Sequence, residues 1–329
     1  MSRSDVGNCL GIILTCATAA VGAASGVAAQ PYPSKPVEFV AHSGPGGGPD
    51  VFARAVTEII ARGKLLPQPA IVANRAGGGG IVALNYVKSK RGEPHVVLTI
   101  ATGTLLTAAS RPDLDLGLNT YTPLAFFALD PQTVTVKADS KFASFKDLVE
   151  AGRREPDTII AGIGGPAGNS RRLLYHIERE TGARFKFVAF KGGSDAALAV
   201  LGGHVSFAPE NMPELLPHVE AKSMRVLAVA GEKRMAILPD VPTLRELGYP
   251  ISVGTGRGFA MPAGVPKEAA AVMEAVLKRV HDSPAWREYA ARHMLEDTYM
   301  GGTEFAQYLA KLRDEWQGFM TYMGQGQKP

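Results

Sequence analysis

The feature that most constrains this chain is a strand running into a glycine loop and then a helix, and it occurs twice. Val37-Glu38-Phe39-Val40-Ala41 leads into His42-Ser43-Gly44-Pro45-Gly46-Gly47-Gly48-Pro49-Asp50, and a helical pattern follows over residues 51–61. An apolar run over residues 159–163 leads into Gly164-Gly165-Pro166-Ala167-Gly168-Asn169-Ser170, and a helical pattern follows over 171–180. Short apolar runs alternating with amphipathic stretches are the pattern of an α/β chain. In open α/β sheets ligands sit beyond the carboxyl ends of strands. Glycine lets the backbone approach a ligand and turn its N–H groups outward, and a helix start adds partial positive charge. One such loop is equally what a tight turn needs; two facing each other can hold the two ends of an elongated anion.

Other chemistries lack their residues. The first loop is not followed by Lys-Ser or Lys-Thr, so it is no phosphate P-loop, and Pro49-Asp50 stands where a dinucleotide fingerprint needs its third glycine. There is no Gly-x-Ser-x-Gly and no His-Glu-x-x-His, and the seven histidines are scattered, so neither a metal site nor a cofactor is expected. The net charge of +4 is spread along the chain without a basic block, which gives no sign of a nucleic-acid partner.

The amino-terminal stretch over residues 10–27 is almost wholly apolar or small, preceded by Arg3 and Asp5, and ends Val27-Ala28-Ala29. It reads as an export signal cleaved after Ala29, residues 1–29, with an uncleaved membrane anchor as the competing reading. Both cysteines, Cys9 and Cys16, fall in it, so the mature chain has neither a disulfide nor a thiolate. About 300 residues remain, enough for two domains of ordinary size.

The alternation predicts two halves. Lobe 1 is expected from residues 30–130 and 257–329, and lobe 2 from 131–256, with extended crossings at 125–136 and 254–259 and a mostly helical tail over 267–323 packing on the first half. This is a hinge-closing architecture. The residues expected to face a ligand are Ser43, Gly44, Pro45, Gly46, Gly47, Gly48 and Asp50 in the first loop. Asn74 and the strand end Thr102-Gly103-Thr104 join them from the same half. From the second half come Gly165, Ala167, Gly168, Asn169 and Ser170, then Lys191, Gly192 and Glu210, and from the return crossing Arg257. Asn169 and Ser170 have capping as their plainer role, as does Glu210. Lys191 and Arg257 are candidate partners for a carboxylate, or else solvated cations.

At these residues the chain resembles a known family. The runs are Tyr32-Pro33-Ser34-Lys35-Pro36, Gly44 through Arg54, Asn74-Arg75-Ala76-Gly77-Gly78, Phe190-Lys191-Gly192-Gly193, Leu201-Gly202-Gly203-His204-Val205, Leu238-Pro239-Asp240-Val241-Pro242-Thr243 and Arg257-Gly258-Phe259. In this order they resemble the tripartite tricarboxylate transporter receptors, the Bug family of bacterial periplasmic solute-binding proteins. The resemblance implies a two-lobe, Venus-flytrap α/β protein of the type II periplasmic-binding class with two hinge crossings. It also implies a small carboxylate as ligand, di- or tricarboxylate and aromatic among the options, and membrane permease subunits as partners. Pro49 and Glu210-Asn211 depart from the common family pattern, and proline removes one N–H from the loop. An exported hydrolase using the same cleft, and a ligand sensor for a membrane histidine kinase, remain open alternatives.

Overall fold

The computed structural model describes residues 32–109, 112–114, 116–164 and 168–325. The expected leader, together with Gly165 and Ala167 of the second loop, lies outside them. In the first unit, the β-branched and aromatic run Val37–Ala41 is strand β1, and Pro49 sits in the first turn of helix α1 (Gly48–Arg62), where its missing N–H costs nothing. Helix α1 buries Phe52, Ala53, Val56 and Ile60, one face of a 3.6-residue repeat. Strand β2 (Ala70–Asn74), helix α2 (Ile81–Ser89), strand β3 (Val96–Ala101) and helix α3 (Thr102–Ala109) complete this part. Strands β2, β1 and β3 lie side by side and parallel.

A long strand, β4 (Tyr121–Lys137), then carries the chain into a second α/β region: α4 (Phe145–Arg154), β5 (Ile160–Ile163), α5 (Asn169–Thr181), β6 (Lys186–Ala189), α6 (Gly193–Leu201), β7 (Phe207–Asn211), α7 (Met212–Glu220) and β8 (Met224–Val229). Strand β9 (Gly254–Pro262) returns it, and α8 (Lys267–His281), α9 (Pro284–Arg292), β10 (Glu296–Gly301) and α10 (Gly302–Gln325) form the tail. Among the described residues the strands join in one ten-stranded sheet, ordered β2-β1-β3-β9-β4-β7-β5-β6, with β8 and β10 also on β4.

Strand β4 explains how one sheet serves two cores. Its first part pairs antiparallel with β9, down to Pro131 opposite Gly254, and with β10; from Gln132 onward it pairs with β7 and β8. Phe127 of its first part meets Phe52, Phe259 and Trp286 at centroid separations of 5.8, 5.3 and 5.0 Å. Val134 and Val136 of its second part enter a separate core with Phe145, Leu148, Leu173 and Phe207. The expected crossings at Asp130 and Gly256 are thus hydrogen-bonded neighbours, not separate tethers.

The tail departs from expectation twice. Residues 296–301 form a strand, because the open edge of β4 offers partners that a polar stretch such as Glu-Asp-Thr-Tyr can accept. The end of α10 also reaches the second region. Tyr322 accepts a hydrogen bond from Arg171 of α5 at 2.8 Å, and the rings of Phe319 and Tyr175 are 5.7 Å apart. The tail therefore spans both regions. Thr102, Gly103 and Thr104, expected as the strand's end, begin α3 directly after β3.

Candidate functional site

The first glycine loop is built around a buried acid. Asp50, only 1% exposed, accepts hydrogen bonds from the Gly46 backbone N–H (2.9 Å), Arg54 Nε (3.0 Å) and Asn74 Nδ2 (2.8 Å). Asn74 Nδ2 also donates to the Ser43 carbonyl at 3.0 Å. The Arg54 hydrogen bond, more than any other contact, holds the Asp50 carboxyl down at about 2. Asp50 and Asn74 therefore shape the loop through hydrogen bonds to its backbone and to each other. Gly46 takes φ +81, which favours glycine, whereas Gly47 has an ordinary φ of −72 but no room for a Cβ, which would lie 2.6 Å from Ser43 Oγ.

A second glycine run matters as much. Gly77, Gly78, Gly79 and Gly80 all have positive φ, at 133, 56, 65 and 99°. A Cβ on Gly80 would meet Thr104 Cγ2 at 2.5 Å and His42 Nδ1 at 3.3 Å. Burial first, and Arg257 next, push the His42 imidazole down to about 4, so it is neutral near pH 7. This run ends at the start of α2, for which Gly80 is the N-cap.

The second loop is clamped as the first is, by an acid from elsewhere. Glu210 of β7, 4% exposed, accepts from the Gly164 N–H and from the Ser170 hydroxyl. No cation offsets it. Burial, with Glu214 adding to it, pushes its carboxyl up to about 7. Gly164 backs onto the start of α6 so closely that a Cβ would lie 2.7 Å from the Gly193 nitrogen. Ser170 and Glu210 are thus internal partners. The N-cap of α5 is Gly168 with no side-chain cap, so neither Asn169 nor Ser170 caps the helix. Asn169 instead donates to Thr255 Oγ1 at 2.8 Å, linking the second loop to β9.

Where these parts meet there is a cavity of about 250 Å³. Gly79 lines it before α2, Ala101, Gly103 and Thr104 at the start of α3, and Gly168 and Asn169 at the start of α5. Thr255 of β9 and Trp316 of α10 close it. The starts of α3 and α5 border this space, the glycine turn before α2 walls another side with its Gly80 and Ile81 N–H groups already paired to Gly77 and Gly78, and no carboxylate is among the described lining residues. An anion is the ligand such walls favour.

Of the sequence-derived candidates, Gly103, Thr104, Gly168 and Asn169 are brought together here. Ser43 through Gly47 are not in this lining; they form the neighbouring loop. Thr102 is buried and accepts from the Gly256 N–H at 2.9 Å, so it anchors β9. Lys191 is exposed before α6, and Gly192 is the N-cap of that helix. Gly48 and Arg257 belong to an adjoining cavity, where Arg257 pairs with Asp130 at 3.0 Å. Gly79, Ala101, Thr255 and Trp316 were not among the sequence-derived candidates. The four consecutive glycines were a visible signal for the first; nothing local marks the other three.

The model of a family described as a tripartite tricarboxylate transporter family receptor matches residues 52–324. The chain belongs to that family. The receptor is 28% identical to protein BugT of Bordetella pertussis over 243 residues, 70% of this chain and 72% of that protein. It superposes on a TctC solute-binding protein from Polaromonas, solved without ligand, with a TM-score of 0.79 at 28% identity, covering 88% of this chain and 99% of that one. MatC from Rhodopseudomonas palustris, solved with bound malate, shares the fold with a TM-score of 0.66 at 23% identity, covering 87% and 99%. The resemblance read from the motifs is thereby borne out, and with it the two-lobe α/β fold of a periplasmic solute-binding receptor. Among the described residues no helix of this receptor is long and apolar enough to cross a membrane.

Proposed function

We propose that the receptor is exported to the periplasm, captures a small carboxylate between its two lobes and delivers it to the membrane subunits of a tripartite transporter. One observation carries the ligand class: the starts of α3 and α5 border a cavity with no acidic residue among its described lining residues. A carboxylate placed there meets the positive ends of two helix dipoles, where first-turn N–H groups lack intrahelical partners. The malate bound to MatC, a protein of the same fold, agrees with this reading. The lobes comprise residues 30–130 with 257–329, and 131–256, and they close about β4 and β9 where Asp130-Pro131 lies opposite Thr255-Gly254. The receptor acts by binding, not turnover, and needs neither metal nor cofactor. Export depends on residues 1–29, with cleavage after Ala29.

The test is a thermal-shift and calorimetric survey of chelator-treated mature protein against mono-, di- and tricarboxylates, aliphatic and aromatic. A ligand at a hundredfold excess over its Kd adds about 2.7 kcal/mol of stability. Absence of any carboxylate-induced shift, or binding that returns only when a divalent ion is restored, overturns the proposal.

A further inference from the structure

The hinge side of the cleft holds a second, larger cavity of about 390 Å³, and its chemistry is the reverse of the first. One wall is the start of α7, where Asn211, Pro213 and Glu214 line it; another is α9, with Tyr289 and His293. The hinge strands supply Asp130, Thr255 and Arg257. Val51, Phe52 and Leu295 give it an apolar flank. Thr255 lines this cavity and the anion cavity alike, so the two adjoin at that residue.

The charges can be followed group by group. Arg257, whose side chain is only 16% exposed, is the one cation in the lining among the described residues, and it is already committed to Asp130 at 3.0 Å. Asp130 is completed by Asn211 Nδ2 at 2.9 Å. That ion pair is neutral overall. Burial keeps the Tyr289 phenol protonated, pushing it up to about 12. Burial first, then Arg292 and Arg257, push the His293 imidazole down, so it is uncharged near neutral pH; its ring stacks on Tyr289 at 4.2 Å. The start of α1 contributes partial positive charge, but the buried Asp50 in its first turn offsets that. What remains is Glu214. Its Oε2 is enclosed without a hydrogen-bond partner, and its ionised form is disfavoured by burial, which outweighs a backbone hydrogen bond, and by Asp130, against which Arg257 acts. A second anion entering here would face Glu214 and Asp130 with no free cation to meet it. A cation would give Glu214 Oε2 the direct partner it lacks, since Arg257 is paired to Asp130, and methylene groups would lie along Val51, Phe52 and Leu295.

We infer that this hinge-side cavity is a binding site for a protonated amine, so that the ligand is an amino-carboxylate spanning both cavities past Thr255. The inference rests on the carboxylate reading proposed above for the neighbouring cavity. The ligand's carboxylate sits at the starts of α3 and α5, its alkyl chain crosses Thr255, and its ammonium group reaches Glu214. Loss of a charge-assisted hydrogen bond at a partly buried carboxylate corresponds to roughly a tenfold or greater fall in affinity.

Calorimetry with probes matched in length separates this from its alternatives. The probes are 6-aminohexanoate and 8-aminooctanoate, the parent hexanoate and octanoate, and the dicarboxylates adipate and suberate. At least one amino acid probe is expected to bind tighter than both its parent and its dicarboxylate by about tenfold. In Glu214→Gln, verified as folded by circular dichroism, that advantage over the parent should disappear while the parent's own affinity holds. Tighter binding of the dicarboxylates in the wild type overturns the inference and leaves the carboxylate reading standing. So does an amine advantage that survives Glu214→Gln. Failure of every probe overturns both. The wild-type comparison needs no variant, so the inference remains refutable even if Glu214→Gln does not fold.

Discussion

Replacing Glu210 by Gln should change how stability depends on pH, by an amount the structure fixes. The wild-type carboxyl is held at about 7 against an ordinary 4.5, chiefly by burial. Between those values the folded state binds a proton that the unfolded state has released, so this group's contribution to stability falls as pH rises through the window. At 1.36 kcal/mol per pH unit the whole fall is about 3 kcal/mol. The histidines work in the opposite sense. His42, held at about 4, and His176, at about 3, are below their ordinary 6.5 because they are buried, so their contribution rises with pH across much of the same range. Between pH 4.5 and 6.5 the two histidines together outweigh the one acid, so the wild-type profile masks it, and only the difference between two proteins isolates Glu210. Gln keeps an oxygen for the Gly164 N–H and supplies a donor toward Ser170, so the clamp survives while its charge does not. Urea unfolding followed by circular dichroism, from pH 4.5 to about 8 at fixed ionic strength, should show Glu210→Gln matching the wild type at the acid end. It should then gain on the wild type steadily, to about 3 kcal/mol at the alkaline end. A difference that stays flat with pH would mean that the carboxyl titrates in its ordinary range and that the argument from burial is wrong.

Gly80→Ala should lower stability by about 1–3 kcal/mol and abolish carboxylate binding, because φ +99 and the 2.5 Å approach to Thr104 leave no place for a Cβ; wild-type melting and affinity would refute the role given to that turn. Asp50→Ala should cost about 1–3 kcal/mol by stranding the Gly46 N–H and Asn74. Because that carboxyl sits at about 2 instead of 3.8, its stabilisation should be lost as pH falls through that interval, and an acid limb identical in wild type and variant would speak against it. Saturating carboxylate should reduce the radius of gyration in small-angle scattering, and an unchanged value at saturation would remove β4 and β9 as a hinge.

Much of the fold was legible because its signals are local. Val37–Ala41 and Val96–Ala101 are strands over their expected residues, since β-branched runs bounded by turn residues leave few alternatives. Strand β10 was not legible: Glu296–Gly301 has no apolar alternation, and it is a strand because β4 presents it with unpaired backbone groups. The reach of α10 to α5 was hidden for a similar reason, since contacts such as Phe319 with Tyr175 join residues far apart in the chain. Thr255 and Trp316 entered the lining of the smaller cavity by the same long-range route.

The two loop clamps show most clearly where sequence stops. Asp50 and Glu210 perform one task, each accepting a backbone N–H from its glycine loop. The first could be read from spacing, because Arg54 lies four residues on along the same helix and can reach back to it. For Glu210 the residue four positions on is another acid, Glu214, and the spacing is deceptive, since one belongs to β7 and the other to α7. Whether such an acid is charged depends on the cation beside it and on the water left around it. For Asp50 the cation is present and the carboxyl is held down; for Glu210 there is none and it is pushed up. Two loops alike in sequence thus rest on acids with opposite titration. Only the second makes the ligand cleft sensitive to pH near neutrality.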